Sequence, residues 1–301
     1  MRLVNRAVAP AVALETTLLV HGVPKADGPA LAQRLAAAVK AKGANAAVVG
    51  VVGGVPTVGM NEQELAAMFA APKVEKVNAS NLGVAIHRKV HAATTVSTTM
   101  ELAARAGVKV FATGGLGGVH KGFGTHGDIS ADLVALTRFP VAVVTSGVKS
   151  LLDVAATREV LETLGIPVVG WRVDEFPAFY LSKLDGVGGV DVRFDEMTEL
   201  ARYVEMEVGR TGRGVVVCNA VPQAFEIAES DFAAWLLKAE RAVDVAAATG
   251  RDRTPRILGE LHRVSGGATL RANVELAVSN AEVAAELASE MRRSPITAEF
   301  T

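Results

Sequence analysis

Cysteine is almost missing: Cys218 is the only one in 301 residues. A single thiol forms no intrachain disulfide and no CxxC metal site. It sits in the apolar run GVVVCNAVP, which reads as a buried strand rather than a nucleophile's surroundings. Excess charge of either sign is missing too. Lys and Arg total 31 against 32 Asp and Glu, a formal net charge of −1, which gives no basis for nucleic-acid or anionic-membrane binding. Aromatic residues make up only 5% of the chain, but hydrophobic residues make up 50%, enough for one large α/β domain or two small ones. No charge-free apolar run reaches membrane-spanning length. The N-terminal MRLVNRAVAPAVALE is broken by Asn5, Arg6 and Pro10, so it lacks the apolar region of a secretory signal. The expectation is a soluble cytoplasmic protein. No fixed-period repeat, low-complexity linker or GxxxxGK[ST] phosphate loop occurs, and the glycine-rich TGGLGGVH has His120 where a dinucleotide fingerprint needs glycine.

What is present is an alternation. Val-rich runs at 11–19, 46–52, 108–113, 141–145, 166–170 and 214–218 are apolar on both faces, as in strands covered on both sides. Between them lie helical patterns, such as the stripe Leu31, Leu35, Val39 and the segments 62–69, 99–106, 131–137 and 153–164. This order predicts a three-layer α/β/α sandwich with a central, mostly parallel sheet. From about residue 222 the strand signal fades, and 224–249, 254–265 and 268–293 predict a helical C-terminal part. We expect a single domain over residues 1–301, with the polar, Gly-rich 183–193 as a mobile loop or excursion.

Four places could carry chemistry. Lys149 ends the apolar run VAVVTSGVK. A lysine amine kept neutral in such a setting attacks carbonyl carbon to give a Schiff base; the alternative is a side chain that snorkels to the surface. Glu15 is a lone carboxylate in the apolar VALETTLLVHG, either a general acid or a structural group held by backbone donors. Asp128 and Asp132, four apart in GDISADL with Ser130 between them, would face one way on a helix and suit Mg²⁺ or Mn²⁺. Asp128 or Ser130 reads equally as a helix N-cap. Ser146-Gly-Val-Lys149 matches S-x-x-K, but no SDN or KTG partner accompanies it.

The series ALETT…HG, KV, ATTV, ATGGLGGVH, DISADL, SGVKSLLD and FPAFY, in this order from about residue 12 to about residue 285, closely resembles the pseudouridine-5′-phosphate glycosidase family. The resemblance implies an α/β/α fold, a homotrimer, and a divalent metal, commonly Mn²⁺, with Mg²⁺ or Ca²⁺ as substitutes. It implies making and breaking a carbon–carbon bond between ribose 5-phosphate C1 and a uracil carbon. By position, Lys149 matches the Schiff-base lysine, Glu15 the proton donor and Asp128 the metal-site aspartate. Ser130, Ala131 and Asp132 match the substrate-binding triplet, and Lys76 and Val96 two further substrate positions. Thr95, Thr113 and His120 fall in matching active-site segments, and Asn273 matches an asparagine facing the base.

The chain departs from the family pattern at three places. Asn78-Ala79-Ser80-Asn81 follows Lys76-Val77 where the family carries a basic pair or Arg-Asp. Asn219-Ala220-Val221-Pro222-Gln223 replaces NP-x-P-E, and Phe123 to Gly127 lacks the usual acidic residue. Kept catalytic positions with changed polar neighbours lead us to expect an alnumycin-type C-glycosynthase, joining ribose 5-phosphate to an aromatic polyketide carbon. The plain glycosidase acting on pseudouridine 5′-phosphate is the alternative. A sugar-phosphate binder without chemistry is a third reading.

Overall fold

The computed structural model describes residues 2–243 and 250–293. The first part runs β1 (Val4–Asn5), β2 (Ala11–Glu15), α1 (Thr16–His21), α2 (Gly28–Ala41), β3 (Asn45–Val52), β4 (Val55–Val58), α3 (Glu62–Ala70), β5 (Glu75–Val77), α4 (Leu82–His87), β6 (Ala92–Thr94), α5 (Val96–Arg105) and β7 (Val110–Ala112). The second runs α6 (Phe123–His126), α7 (Ala131–Leu136), β8 (Ala142–Thr145), α8 (Val154–Thr163), β9 (Val168–Trp171), β10 (Val192–Phe194), α9 (Met197–Thr211) and β11 (Val215–Cys218). A short 3₁₀ turn, Gln223–Phe225, then leads to α10 (Glu229–Ala242), α11 (Gly250–Val264) and α12 (Ala268–Arg293).

Nine strands follow the order β1-β4-β3-β2-β7-β8-β11-β9-β10, with β5 and β6 off this path. Pairing is parallel from β2 to β10; only β3 with β4 and β3 with β6 run antiparallel. Helix α12 packs on β2, β7 and β8 beside α2 and α9, while α5 packs on β2, β3 and β7 beside α7. The sheet is covered on both faces, so its central strands are apolar throughout. Val12, Ala13, Val110, Phe111, Ala142 to Val144 and Val215 to Val217 are all at or near zero exposure. The α/β/α sandwich with a helical C-terminal part is the architecture found.

Several elements differ from the expected ones. The run 11–19 is strand only to Glu15. From Thr16 it is helix, because the Thr16 hydroxyl donates to the Val49 carbonyl and accepts from Thr94 N–H, closing the sheet there with β6. The short strands β4, β5 and β6 and the helix α9 carry too few periodic residues, or too much charge, to stand out in the sequence. The stretch 183–193 ends in the edge strand β10, anchored where Asp191 pairs with Arg158 and accepts from Val168 N–H. Residues 244–249 of the expected helix 224–249 lie outside the described residues. Among the described residues no helix is long and apolar enough to cross a membrane.

Candidate active site

Strands β2, β7 and β8 are neighbours, and their C-terminal ends release Glu15, the TGGLGG loop and the SGVK loop at one edge. An open parallel sheet forms its ligand crevice there. A cavity of about 490 Å³ occupies this position. All twelve residues expected from the sequence line it: Glu15, Lys76, Thr95, Val96, Thr113, His120, Asp128, Ser130, Ala131, Asp132, Lys149 and Asn273. They come from parts of the chain as far apart as β2 and α12.

Glu15 is 7% exposed and accepts a short hydrogen bond from the Thr113 hydroxyl. Burial pushes its carboxyl above the ordinary range; the charge of Lys149 and the Thr113 hydroxyl work in the opposite direction without overcoming it. Glu15 therefore holds a proton to higher pH than an exposed glutamate. Lys149 Nζ donates to the Gly115 carbonyl at 2.6 Å. Thus the carboxyl and the amine face one space from strands on either side of β7.

Asp132 binds backbone on two sides. Its Oδ1 accepts from Ser97 N–H at 3.0 Å and its Oδ2 from Gly117 N–H at 2.9 Å. It therefore satisfies a free amide in the first turn of α5, where negative charge is favoured, and ties that turn to the glycine loop. Ser130 is the N-cap of α7, its Oγ accepting from Asp132 N–H at 3.2 Å. The helix starts only at Ala131, so Asp128 precedes it. The expected common helical face of Asp128 and Asp132 does not exist. Asp128 instead lies 3.6 Å from His120 Nδ1, with its side chain 37% exposed. Among the described residues no three His, Cys, Asp or Glu side chains converge as a metal cluster. One partly exposed carboxylate fits a hard divalent cation that keeps most of its waters, and does not fit a closed protein cage.

The glycine loop serves packing as much as ligand approach. A Cβ at Gly117 would fall 2.4 Å from Ser130 Oγ, and one at Gly118 2.3 Å from Thr157 Oγ1. Ser146, the serine of S-x-x-K, is fully buried against Asn280 and does not line the cavity. Cys218 is buried in β11, where burial raises its thiol far above the ordinary range.

The sequence motifs contain Thr17, His21, Asn78 and Phe179 but gave them no place in the site that they line, and Asn280 behind them was not singled out. Asn280 donates to the Thr113 carbonyl at 2.8 Å and to Ser146 Oγ at 3.1 Å and accepts from Asn219 at 3.0 Å, so it clamps the ends of β7, β8 and β11 from α12. Two asparagines seven apart, 273 and 280, on an otherwise apolar helix stripe were the available signal. Replacing Asn280 by Leu strands several buried polar groups. Chemical denaturation should show a loss on the order of 1–3 kcal/mol. Thr17 Oγ1, His21 Nε2 and Asn273 Oδ1 are buried in the cavity wall without protein partners. The Asn273 amide is oriented by its donation to the Gly22 carbonyl at 3.0 Å, which leaves Oδ1 as an acceptor beside Gly114.

Residues 3–290 match the family model described as indigoidine synthase A like protein. The chain belongs to that family. Its relatives include pseudouridine-5′-phosphate glycosidases. The one from Solibacter usitatus is 41% identical over 94% of this chain and 94% of its own length, and the one from Methylobacterium nodulans 42% over 95% and 85%. Among solved structures of the indigoidine synthase A-like fold, that of a protein from Thermotoga maritima superposes with a TM-score of 0.89 at 35% identity, covering 97% of both chains. The prealnumycin C-glycosynthase AlnA, in complex with ribulose 5-phosphate, superposes with a TM-score of 0.84 at 32% identity, covering 94% of this chain and 92% of its own. The resemblance read from the motifs is thus a true family relationship, and the family is one of enzymes that act on glycosidic carbon.

Proposed function

We propose that this chain is a pseudouridine-5′-phosphate glycosidase, reversibly cleaving pseudouridine 5′-phosphate to uracil and ribose 5-phosphate. The observation that carries this is one cavity holding an amine, a buried carboxyl whose pKa burial raises, and three unpartnered polar atoms. Buried polar atoms without partners are costly unless a ligand satisfies them. The edge of uracil, with N–H donors and carbonyl acceptors, is suited to do so. The order of the two readings expected from the sequence is therefore reversed. Relatives near 40% identity carry the glycosidase name, and the C-glycosynthase is the more distant at 32%. The departures that favoured an aromatic acceptor also lie largely outside the cavity. Asn219 bonds Ser279 and Asn280, and none of residues 123–127 lines the wall. Only Asn78 does so, within a turn closed by Asn81 and Ser80.

In the cleavage direction, Lys149 Nζ attacks the sugar C1. The bond from C1 to the ring oxygen breaks, and Glu15 gives that oxygen its proton. The attached nitrogen passes a proton to the Glu15 carboxylate; its lone pair then forms C=N as the C1–carbon bond breaks, and the uracil carbon takes up a proton from solvent. Water adds to the imine and releases ribose 5-phosphate with free lysine. Carbon is a poor leaving group, and this route divides one difficult step into easier ones. Lys76, with Ser130 and Asp132, positions the sugar phosphate, and Asn273 and His120 face the base. The C-glycosynthase neighbour holds ribulose 5-phosphate, a pentose phosphate of the same size. Asp128 would hold a divalent cation, Mn²⁺ by family likeness, which would supply positive charge near the anionic substrate. The same likeness carries a homotrimer, testable by sedimentation.

The deciding assay incubates the protein with ribose 5-phosphate and either uracil or a naphthoquinone acceptor, and runs pseudouridine 5′-phosphate cleavage in parallel. Turnover with uracil alone is expected. Turnover with the aromatic acceptor alone would establish the C-glycosynthase instead.

A further inference from the structure

The motif FPAFY, residues 176–180, has no part in the mechanism above, yet it is bound to the lysine loop at every turn. Phe179 N–H donates to the Ser146 carbonyl at 2.9 Å. The Ser150 hydroxyl donates to the Ala178 carbonyl and accepts from Tyr180 N–H at 3.2 Å. Ala178 also forms a β-bridge with Gly147. That glycine has φ +71, and a Cβ there would lie 1.7 Å from the Pro177 carbonyl oxygen. Residues 146–150 and 176–181 are therefore one interlocked unit carrying Lys149.

Phe179 is its unusual member. It has φ +62, a left-handed conformation that bulky residues rarely adopt. Such strain persists only where the surroundings enforce it, and it gathers at functional sites. The ring is 2% exposed, lines the cavity and packs on the neighbouring Tyr180 ring at 4.6 Å. Its other side presses on the glycine loop. A Cβ at Gly115 would fall 2.5 Å from Phe179 Cδ2. The carbonyl of that same Gly115 accepts from Lys149 Nζ at 2.6 Å.

We propose that Phe179 is the positioning residue for the Lys149 amine. Its backbone fixes the loop from which the lysine rises, and its ring sets Gly115, whose carbonyl holds the amine towards the sugar C1. Glycine at 115 is required because the ring occupies the space of a side chain. This inference rests on the reading of Lys149 as the imine-forming amine.

The test is the rate of adduct formation with saturating ribose 5-phosphate and cyanoborohydride, read by intact mass. Phe179→Gly relieves the φ strain and removes the ring. Gly115→Ala displaces the ring from the other side. Each variant should form the adduct about 100-fold more slowly, the penalty of a misplaced reacting group, with KM for the sugar phosphate changed less than about threefold. The double variant should lose no more than Phe179→Gly alone, because residues acting through one contact are not additive. A purely structural role would lower Tm and leave the trapping rate of folded protein unchanged; that result, or losses that multiply in the double variant, would overturn the proposal. If Phe179→Gly does not fold, Phe179→Leu takes its place in the same comparison. Absence of any adduct in the wild type would instead sink the imine reading itself.

Discussion

Lys149→Ala loses turnover by roughly 10⁴-fold or more, the scale of deleting a covalent nucleophile. The variant should nevertheless fold. Lys149 gives up one hydrogen bond, to the Gly115 carbonyl, and the core strands beneath it are untouched. Lys149→Arg separates two explanations. Arginine keeps a positive charge in the cavity but cannot deprotonate, so it forms no imine. If the lysine acted only as a charge for the phosphate, Arg would restore much of the activity. An imine mechanism predicts that Arg is as dead as Ala. Mass spectrometry after borohydride reduction should place the wild-type adduct on Lys149 and find none in either variant. Near-normal turnover by Lys149→Ala would end the mechanism.

Glu15→Gln is the second large effect, with kcat reduced by 10² to 10⁴, the usual contribution of a positioned general acid. Gln keeps an oxygen to accept from the Thr113 hydroxyl, so the pocket wall should survive. In the wild type, cleavage should decline as pH rises through the raised Glu15 value, because the proton for the ring oxygen is lost. The variant's residual rate should lack that decline. Stability moves the same way. The unfolded chain ionises Glu15 near 4.5, the ordinary value for a glutamate, while the folded chain keeps the proton longer because burial resists the charge. Between those two points the native state binds more protons, so wild-type stability falls as pH rises. Glu15→Gln removes this dependence. Its Tm relative to wild type should be higher at pH 8 than at pH 4.5. An equal difference at both pH values would mean that Glu15 is not held protonated.

The sheet was readable because its strands are buried on both faces, and continuous runs such as Val141 to Thr145 have no competing pattern. Pairing order, and with it the placing of Glu15 and Lys149 on either side of β7, was not readable from local periodicity. The candidate site residues came from shared motifs, and the structure gathers them into one cavity. Reasons for individual residues were less accessible. Asp132 looked like half of a metal-binding pair and turned out to bind two backbone amides. Several glycines of TGGLGG are needed because Phe179, Ser130 and Thr157 come from other segments to meet them. Asn280 and Phe179 act through long-range contacts, which no sequence window contains. The expectation of an aromatic acceptor lost weight because, of the polar departures behind it, Asn219 and residues 123–127 do not line the cavity and only Asn78 does.

The closing helix α12 sets a condition on when this protein can act. Asn273 bonds Gly22 across 251 positions of sequence, and Asn280 bonds Thr113 across 167. A chain emerging from the ribosome can pair β2 with β3 early, yet it has no finished pocket until α12 is made. Contacts so distant in sequence form late and slowly. A truncated or nascent molecule would therefore carry the reactive lysine without the wall that confines it. Competence is gained only once α12 has been made and has docked on the sheet.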